Sequence, residues 1–152
     1  MEIIYHCYGG THSSVLAAAL HTGVIAPHGQ LPRSSRLLGL PFLDTQDGND
    51  HGQLRFFGRD ENGHRVYVLG RRRDAAALTL VLNGPAGEEP AREIILVNAM
   101  SCVPLLLRVG GYISRRLKLT WLGRPLVFCG LRRGYPCLRE LVYLVKKEVA
   151  EG

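Results

Sequence analysis

Residues 3–23 read IIYHCYGGTHSSVLAAALHTG, and this stretch decides the fold class. Its first six residues combine β-branched and aromatic side chains, which predicts a β-strand. The next six, GGTHSS at 9–14, break that strand. Residues 15–22 are apolar nearly all round, which predicts a buried helix that Gly23 ends. A strand that passes through a glycine-rich loop into a buried helix is typical of α/β proteins.

The rest of the chain continues this alternation. Residues 54–59 and 64–69 predict paired strands, because Asn62 and Gly63 between them form a strong hairpin signal. The further predicted elements are a helix at 75–83, a strand at 93–97, a helix at 104–118, a last strand at 125–129 and a final helix from residue 136. This order predicts one α/β domain over residues 1–152. We expect a three-layer sandwich with a mostly parallel, mixed sheet, one hairpin and helices on both faces.

Residues 26–53 differ from their surroundings. They are rich in proline, glycine, aspartate and serine, with one apolar island at 37–43. We interpret the segment as a long, partly ordered loop, and loops of this length often serve as lids.

Length and composition exclude several classes of protein. A chain of 152 residues has the length of one domain, and 46% hydrophobic with 21% charged residues is typical of globular proteins rather than disordered ones. No apolar run reaches the roughly 18 residues of a membrane helix, so we expect no membrane partner. The first residues form a strand and not a signal peptide, and four cysteines are too few for a disulfide scaffold. These features predict a cytoplasmic protein.

The charge distribution points to anionic partners. The net charge is +6, and sixteen of the nineteen basic residues are arginine. Residues 1–60 have a net charge of −1 and residues 61–152 a net charge of +7. A positive field concentrates anions, and arginine binds phosphate and carboxylate through two parallel hydrogen bonds. A phosphorylated small molecule, a nucleic acid and an acidic protein all fit, and so does a solvated arginine-rich surface.

The predicted topology gathers polar residues at one edge. In open α/β sheets, ligands bind beyond the carboxyl ends of the strands. If the strands are adjacent and parallel, the loops that follow them share that edge. The residues expected there are the loop of residues 7–14, Arg71 after the third strand, Asn98, Ser101 and Cys102 after the fourth, and Cys129, Arg132 and Arg133 after the fifth.

The 7–14 loop is the sharpest chemical feature. Glycines allow successive backbone N–H groups to turn inward around an anion, and a helix N-terminus adds partial positive charge. The same field favours the thiolate form of a cysteine, so Cys7 is a candidate nucleophile or phosphoryl acceptor. His12 is a candidate general acid or base. The candidate anion-binding residues are Gly9, Gly10, Thr11, Ser13, Ser14, Arg71, Arg132 and Arg133. The alternative is a tight turn around a structural cysteine.

Two families have loops that resemble this one. Low-molecular-weight cysteine phosphatases carry Cys-x-Gly-Asn-x-Cys-Arg-Ser, which Cys7, Gly9 and Ser14 match, although Ser13 replaces the arginine that binds the phosphoryl group. The cysteine-type B components of sugar phosphotransferase systems carry Cys-x-x-Gly-x-x-[Ser/Thr]-Ser, and Cys7, Gly10, Ser13 and Ser14 match all four fixed positions. In that family the cysteine takes up a phosphoryl group. Both resemblances imply a phosphate ligand at this loop.

Residues 3–23 as a whole resemble the start of an uncharacterised bacterial family, a domain of unknown function of about this length. The resemblance implies no activity. It does indicate that the 7–14 loop is the signature of the family.

The leading hypothesis is therefore a phosphate-bearing small molecule bound at the 7–14 loop, with phosphoryl or other group transfer through Cys7. One alternative is a non-catalytic anion- or nucleic-acid-binding module that uses residues 101–147, which hold ten basic residues and one acidic residue. Another is a Cys/His metal or redox site, in which Cys7, Cys102 and Cys129 could converge as three thiolates, although no Cys-x-x-Cys pair is present and we assign no metal ligand. His21 is expected to be a hydrogen-bonded core residue. Whether the protein is an enzyme, its cofactor and its oligomeric state stay open.

Overall fold

The centre of the fold is the strand that opens the chain. The computed structural model describes residues 1–44, 53–71, 93–115, 117 and 120–151. Its elements are β1 (Glu2–Cys7), α1 (Ser13–His21), α2 (Ser34–Leu38), β2 (Leu54–Arg59), β3 (Arg65–Gly70), β4 (Ile94–Asn98), a 3-10 turn (Ala99–Cys102), α3 (Leu105–Arg115) and α4 (Thr120–Glu151). Together they form one α/β domain, which confirms the predicted fold class.

Four strands form a mixed sheet in the order β2-β3-β1-β4. β1 runs parallel to both of its neighbours, β3 and β4, whereas β2 pairs with β3 in the antiparallel sense. The predicted hairpin is therefore confirmed. Asp60 fixes its turn, because Oδ1 accepts the backbone N–H groups of Asn62 and His64 at 3.0 and 2.8 Å.

Both faces of β1 are buried from residue 3 onward, which explains the run of Ile3, Ile4 and Tyr5. Ile3 and Tyr5 belong to the core on which α1 packs, and α4 packs in turn on α1. On the opposite face, Ile4 and Leu69 are also fully buried. The described helices α1 and α4 thus lie on one side of the sheet. The helix predicted at 75–83 lies outside the described residues.

The predicted last strand at 125–129 is wrong, because this segment belongs to α4. The apolar triplet 126–128 resembles a strand by composition, but a longer helical period decides the structure. The buried positions recur every three or four residues and face the core, at Val127, Leu131, Tyr135, Leu138, Val142, Val145 and Val149. Pro125 and Pro136 both lie inside the helix. The packing of this stripe outweighs the backbone hydrogen bonds that the prolines remove.

The predicted helix from residue 104 is confirmed as α3, which pairs with α4 in a helical hairpin. Gly110 permits the close crossing, because a Cβ there would lie 2.6 Å from the backbone nitrogen of Val127. The larger contact of this helical hairpin with the rest of the domain is made by α4, which packs on α1 and on the 3-10 turn.

The 26–53 segment carries α2 and three buried leucines of the apolar island, Leu37, Leu40 and Leu43. It is therefore anchored to the core up to residue 44. Residues 45–52 lie outside the described part of the chain.

No helix within the described residues has both the length and the apolar character that crossing a membrane requires.

Candidate functional site

Three parallel strands end at one edge of the sheet. β1 lies between β3 and β4, and the register pairs Cys7 with Gly70 and His6 with Asn98. The loops after these three strands therefore meet, as the sequence predicts. The chain leaves β1 for β3 on one side and then crosses to β4 on the other, so the 7–14 loop lies where the strand order reverses. Such points are where open α/β sheets bind ligands.

The path of the loop requires its second glycine. Gly10 has a φ of +68°, and a Cβ there would lie 2.5 Å from the backbone nitrogen of Gly70. A Cβ on Gly70 would in turn lie 2.8 Å from the carbonyl oxygen of Gly9. The loop therefore crosses the end of β3 backbone against backbone, and a side chain at either contact would separate the two strands.

Cys7 is the first residue of the loop, and the rest of the loop folds back over its side chain. Its thiol is buried, and Sγ accepts the backbone N–H of Gly10 at 3.1 Å. The hydroxyl of Ser14 lies 3.2 Å from the same sulfur. The sulfur thus meets one backbone donor and one hydroxyl, and a hydroxyl can either donate or accept.

The N-terminus of α1 faces this loop. His12 occupies the N-cap position and its side chain makes no capping hydrogen bond. Thr11, Ser13 and Ser14 are buried around it. The first N–H groups of a helix carry partial positive charge, so the loop lies in a field that favours anions.

His12 belongs to an array that the sequence analysis did not find. Its Nε2 lies 3.3 Å from Oδ1 of Asp44, and Nε of Arg124 donates to the other oxygen, Oδ2, at 3.0 Å. Burial raises the pKa of the Asp44 carboxyl, but the hydrogen bonds from His12 and Arg124 outweigh it and hold that pKa below its ordinary value. Helix α3 also approaches the ring, because a Cβ on Gly111 would lie 3.5 Å from Cε1 of His12. The array therefore joins the loop to both helices of the hairpin.

Asp44 reaches this position through an unusual backbone conformation. Its φ is +54°, and Phe42 nearby has a φ of +65°. Its backbone N–H donates to the carbonyl of Thr11 at 3.3 Å. Left-handed conformations at residues other than glycine cost energy and are found preferentially at functional sites. No local motif in the sequence marks an aspartate 32 residues after His12 as its partner.

Arg71 lies across the carboxyl end of β1. Its backbone N–H donates to the carbonyl of Cys7 at 3.0 Å, and its Nη2 contacts Sδ of Met100, beyond β4, at 4.0 Å. The side chain thus spans from β3 to β4. Its Nε is buried without a hydrogen-bond partner among the residues that the structure describes. Burial lowers the pKa of the neighbouring His6, and the charge of Arg71 lowers it further.

A family model described as "Protein of unknown function (DUF3189)" matches residues 2–147. The chain belongs to this family. Its description assigns no activity, so membership in DUF3189 does not distinguish between the hypotheses for the 7–14 loop. No curated protein and no solved structure matches the chain.

Arg132 and Arg133 do not follow a strand in this DUF3189 member, because the segment before them is helical. Both are exposed on α4. Arg132 lines a groove of about 440 Å³ between α4 and residues 31–37. The topological reason for assigning these two arginines to the 7–14 loop is therefore removed, and their role in anion binding stays a prediction.

The four cysteines do not form a cluster. Cys102 makes a disulfide with Cys137, Cys129 is exposed on α4, and Cys7 is buried in its loop. The interpretation of Cys7, Cys102 and Cys129 as three thiolate ligands is wrong, because Cys102 is bonded to another sulfur. The described residues hold no group of three histidine, cysteine or acidic side chains that could bind a metal ion.

His21 lies at the far end of α1 and is confirmed as a core residue. It is fully buried, and its ring nitrogens pair with the hydroxyl of Tyr5 at 2.7 Å and with the carboxylate of Asp60 at 3.3 Å. Asp60 also pairs with Nδ1 of His64 at 3.0 Å. Every polar atom of His21 is thus used within the fold.

Proposed function

We propose that this protein binds the phosphate group of a small phosphorylated molecule in the 7–14 loop and accepts the phosphoryl group on Cys7. One observation carries the proposal: the N–H of Gly10 and the hydroxyl of Ser14 both meet the buried sulfur of Cys7. One backbone donor to the sulfur, and a hydroxyl that can donate to it, support a nucleophilic cysteine at the point where a helix N-terminus and the reversal of strand order favour an anion.

The charges around the loop support an anionic ligand. Arg71 crosses the end of β1 and has a buried Nε without a partner in the described chain. It would supply the counter-charge that Ser13 cannot. Asp44 is the acidic side chain that reaches His12, and its negative charge is already balanced by Arg124 at 3.0 Å. Among the described residues, a doubly charged phosphate therefore meets no uncompensated negative charge at this array.

The proposed step transfers a phosphoryl group to sulfur. The Cys7 thiolate attacks phosphorus, so that an S–P bond forms while the P–O bond to the leaving group breaks. The leaving oxygen takes a proton from His12, which Asp44 orients through Nε2. Water or the hydroxyl of a second acceptor then attacks phosphorus, so that a P–O bond forms while the S–P bond breaks. Its proton returns to His12 and the Cys7 thiolate is restored.

The test is protection of Cys7 from alkylation. Purified protein is treated with iodoacetamide without reductant, in the presence and absence of inorganic phosphate, and each cysteine peptide is quantified by mass spectrometry. We expect phosphate to slow modification of Cys7 and to leave Cys129 unaffected. Cys129 is the internal reference, because it is free and exposed. Equal modification of Cys7 with and without phosphate would remove the proposed function.

Two matched variants locate the counter-charge. Arg71→Gln should weaken the protection by phosphate about tenfold or more, because a charge-assisted contact to the anion is lost. Arg65→Gln is the control, because Arg65 lies at the opposite end of the same strand and pairs with Glu2 at 3.6 Å. In this control variant, phosphate should protect Cys7 as strongly as it does in the unmodified chain. Equal weakening in both variants would show that only net charge matters.

Nucleic-acid binding by the helical hairpin is the second candidate. Between Glu93 and Glu140 the chain carries eight basic residues and no acidic residue. Among them Arg108, Arg124 and Arg133 are exposed on α3 and α4. This candidate predicts that a short DNA duplex binds with an affinity that falls steeply with salt, and that phosphate does not affect Cys7.

A cytoplasmic location stays a prediction. Cytoplasmic thiols are kept reduced, whereas Cys102 and Cys137 form a disulfide in the structure. Blocking free thiols at the moment of cell lysis tests the location, because blocked Cys102 and Cys137 indicate a reducing compartment and an intact disulfide argues against it.

A further inference from the structure

A groove opens beside the His12 array. It lies between residues 31–37 and the first turns of α4, with a volume of about 440 Å³. Its apolar lining includes Leu31, Leu37 and Phe128, its edge carries Trp121, and its cations are Arg124 and Arg132. Clefts of this size, mostly apolar with a few placed charges, are typical of small-molecule sites.

Asp44 connects the groove to the 7–14 loop. Arg124 lines the groove and donates to Oδ2 of Asp44, whose Oδ1 holds His12. Only one carboxylate therefore separates the groove from the proposed proton donor. The side chain of Asp44 is 5% exposed and that of Arg124 is 45% exposed, so this connection runs from the surface at the groove to the buried carboxylate beside His12.

The groove offers an aromatic surface and positive charge. Trp121 is 74% exposed, although a large aromatic side chain is normally covered. Within the part of the chain that the structure describes, Arg132 forms no ion pair and the lining of the groove contains no acidic residue. Stacking on an indole ring combined with pairing to a guanidinium selects a planar ring with a negative charge of its own.

We propose that this groove binds the non-phosphate part of the substrate, and that this part is an aromatic ring carrying an anionic substituent. The inference rests on the proposed function of the 7–14 loop and names its substrate class, a phosphorylated aromatic acid. The ring stacks on Trp121, its anionic group pairs with Arg132, and the phosphate lies in the loop beyond His12.

Trp121 is the sole tryptophan of the chain, so its fluorescence reports on the groove alone. The probes are 4-carboxyphenyl phosphate, isophthalate, which has the charged ring without phosphate, and inorganic phosphate. We expect 4-carboxyphenyl phosphate to change the Trp121 emission and to protect Cys7 with the same midpoint, at least tenfold below that of inorganic phosphate. Isophthalate should change the emission without protecting Cys7.

The variant Arg132→Gln should raise the midpoint for 4-carboxyphenyl phosphate about tenfold and leave protection by inorganic phosphate unchanged. Arg36→Gln is the matched control. Arg36 is exposed on α2, and two other residues of this helix line the groove, but Arg36 itself is not among the lining residues. It should behave as the unmodified chain.

These measurements distinguish a failure of the groove proposal from a failure of the proposed function. If inorganic phosphate protects Cys7 but 4-carboxyphenyl phosphate protects it no better and leaves the Trp121 emission unchanged, the groove proposal is overturned and the proposed function stands. If no phosphate compound protects Cys7 while isophthalate still changes the emission, the groove does not serve the loop, and both proposals fall as stated.

Discussion

Helix α1 has a histidine–aspartate pair at each end, and the two pairs share a distance of 3.3 Å but differ in their surroundings. At the C-terminal end, His21 and Asp60 are buried, with side chains 0% and 2% exposed. Tyr5 and His64 complete their hydrogen bonds. At the N-terminal end, His12 and Asp44 lie 3.3 Å apart, and Arg124 on their far side is 45% exposed.

The difference distinguishes a histidine–aspartate pair that stabilises the fold from one that lies at the candidate functional site. The His21 end is closed, because each ring nitrogen has a partner inside the core and nothing remains for a ligand. The His12 end borders a helix N-terminus, a loop around a free thiol and an open groove, and its aspartate has a left-handed backbone. The same pair of residue types thus serves stability at one end and, on our proposal, chemistry at the other.

The disulfide at the open end should give the largest effect. Cys102 follows β4 and Cys137 lies on α4, 35 residues later in the chain. Closing a loop of that length in the unfolded state stabilises a fold by about 4 kcal/mol. We expect the double variant Cys102→Ala with Cys137→Ala to lose about that much free energy of unfolding in urea. A loss below about 1 kcal/mol would show that α4 is held to the sheet by packing alone.

Breaking the closed pair should cost about 3 kcal/mol. His21→Leu leaves the hydroxyl of Tyr5 buried without its partner and removes one of the two histidine contacts of Asp60 Oδ2, which keeps His64. His12→Leu at the other end is the matched variant and should cost no more than about 1 kcal/mol, because its partner Asp44 keeps Arg124. Both are measured by urea unfolding at neutral pH. Equal losses would mean that the two ends are equivalent and that the comparison fails.

A pair of glycines tests the path of the 7–14 loop. Gly10→Ala combines positive φ with a Cβ 2.5 Å from backbone, so we expect a loss of about 2 kcal/mol or more. Gly63→Ala shares the positive φ, at +82°, but has nothing within 4 Å of its Cβ. It should cost about 1 kcal/mol. Since the two variants differ in the steric contact alone, equal losses would remove the close crossing of Gly10 and Gly70 as a constraint.

The sequence predicts the half of the fold that local signals specify. The strand and loop at 3–14, the Asn62–Gly63 hairpin and the helix after Pro104 are all confirmed, since each depends on residues adjacent in the chain. The strand at 125–129 was wrong because a five-residue apolar window suits either structure. Following the buried stripe from Val127 to Val149 would have indicated one long helix that tolerates its prolines.

The candidate site also has a part that the local sequence predicts and a part that it does not. The sequence places Cys7, Ser14 and Gly10 together because eight residues contain them, and the structure brings these three into contact. The sequence does not indicate Asp44 or Arg124 as members of the site, because they lie 32 and 112 residues from His12 in the chain. Tertiary packing brings Asp44 to His12 and Arg124 to Asp44. The signal that could have helped is weak: Asp44 ends the apolar island whose leucines fix its position.

The closed end also predicts how stability depends on pH. Burial lowers the pKa of His21 below the ordinary 6.5, and the charge of Lys146 lowers it further, while the hydrogen bond to Asp60 opposes both. Below about pH 6.5 the unfolded chain therefore binds a proton that the folded imidazole resists. The contribution of His21 is fully present above that pH and is lost as the pH falls through the folded pKa. His6, whose pKa is also lowered, adds in the same direction.

Lys146 should have a small effect on stability and a visible effect on this slope. Its ion pair with Glu61, at 2.8 Å, is largely exposed, so Lys146→Gln should cost only about 0.5 kcal/mol at neutral pH. Removing that charge lets the pKa of His21 rise toward 6.5, so the variant should lose less stability between pH 7 and pH 5 than the unmodified chain. Lys147→Gln is the control, since Lys147 pairs with the exposed Glu151. Parallel pH profiles for all three chains would mean that the proton bound on acid unfolding does not reside on His21, and the closed end would then owe its stability to packing rather than to a neutral imidazole.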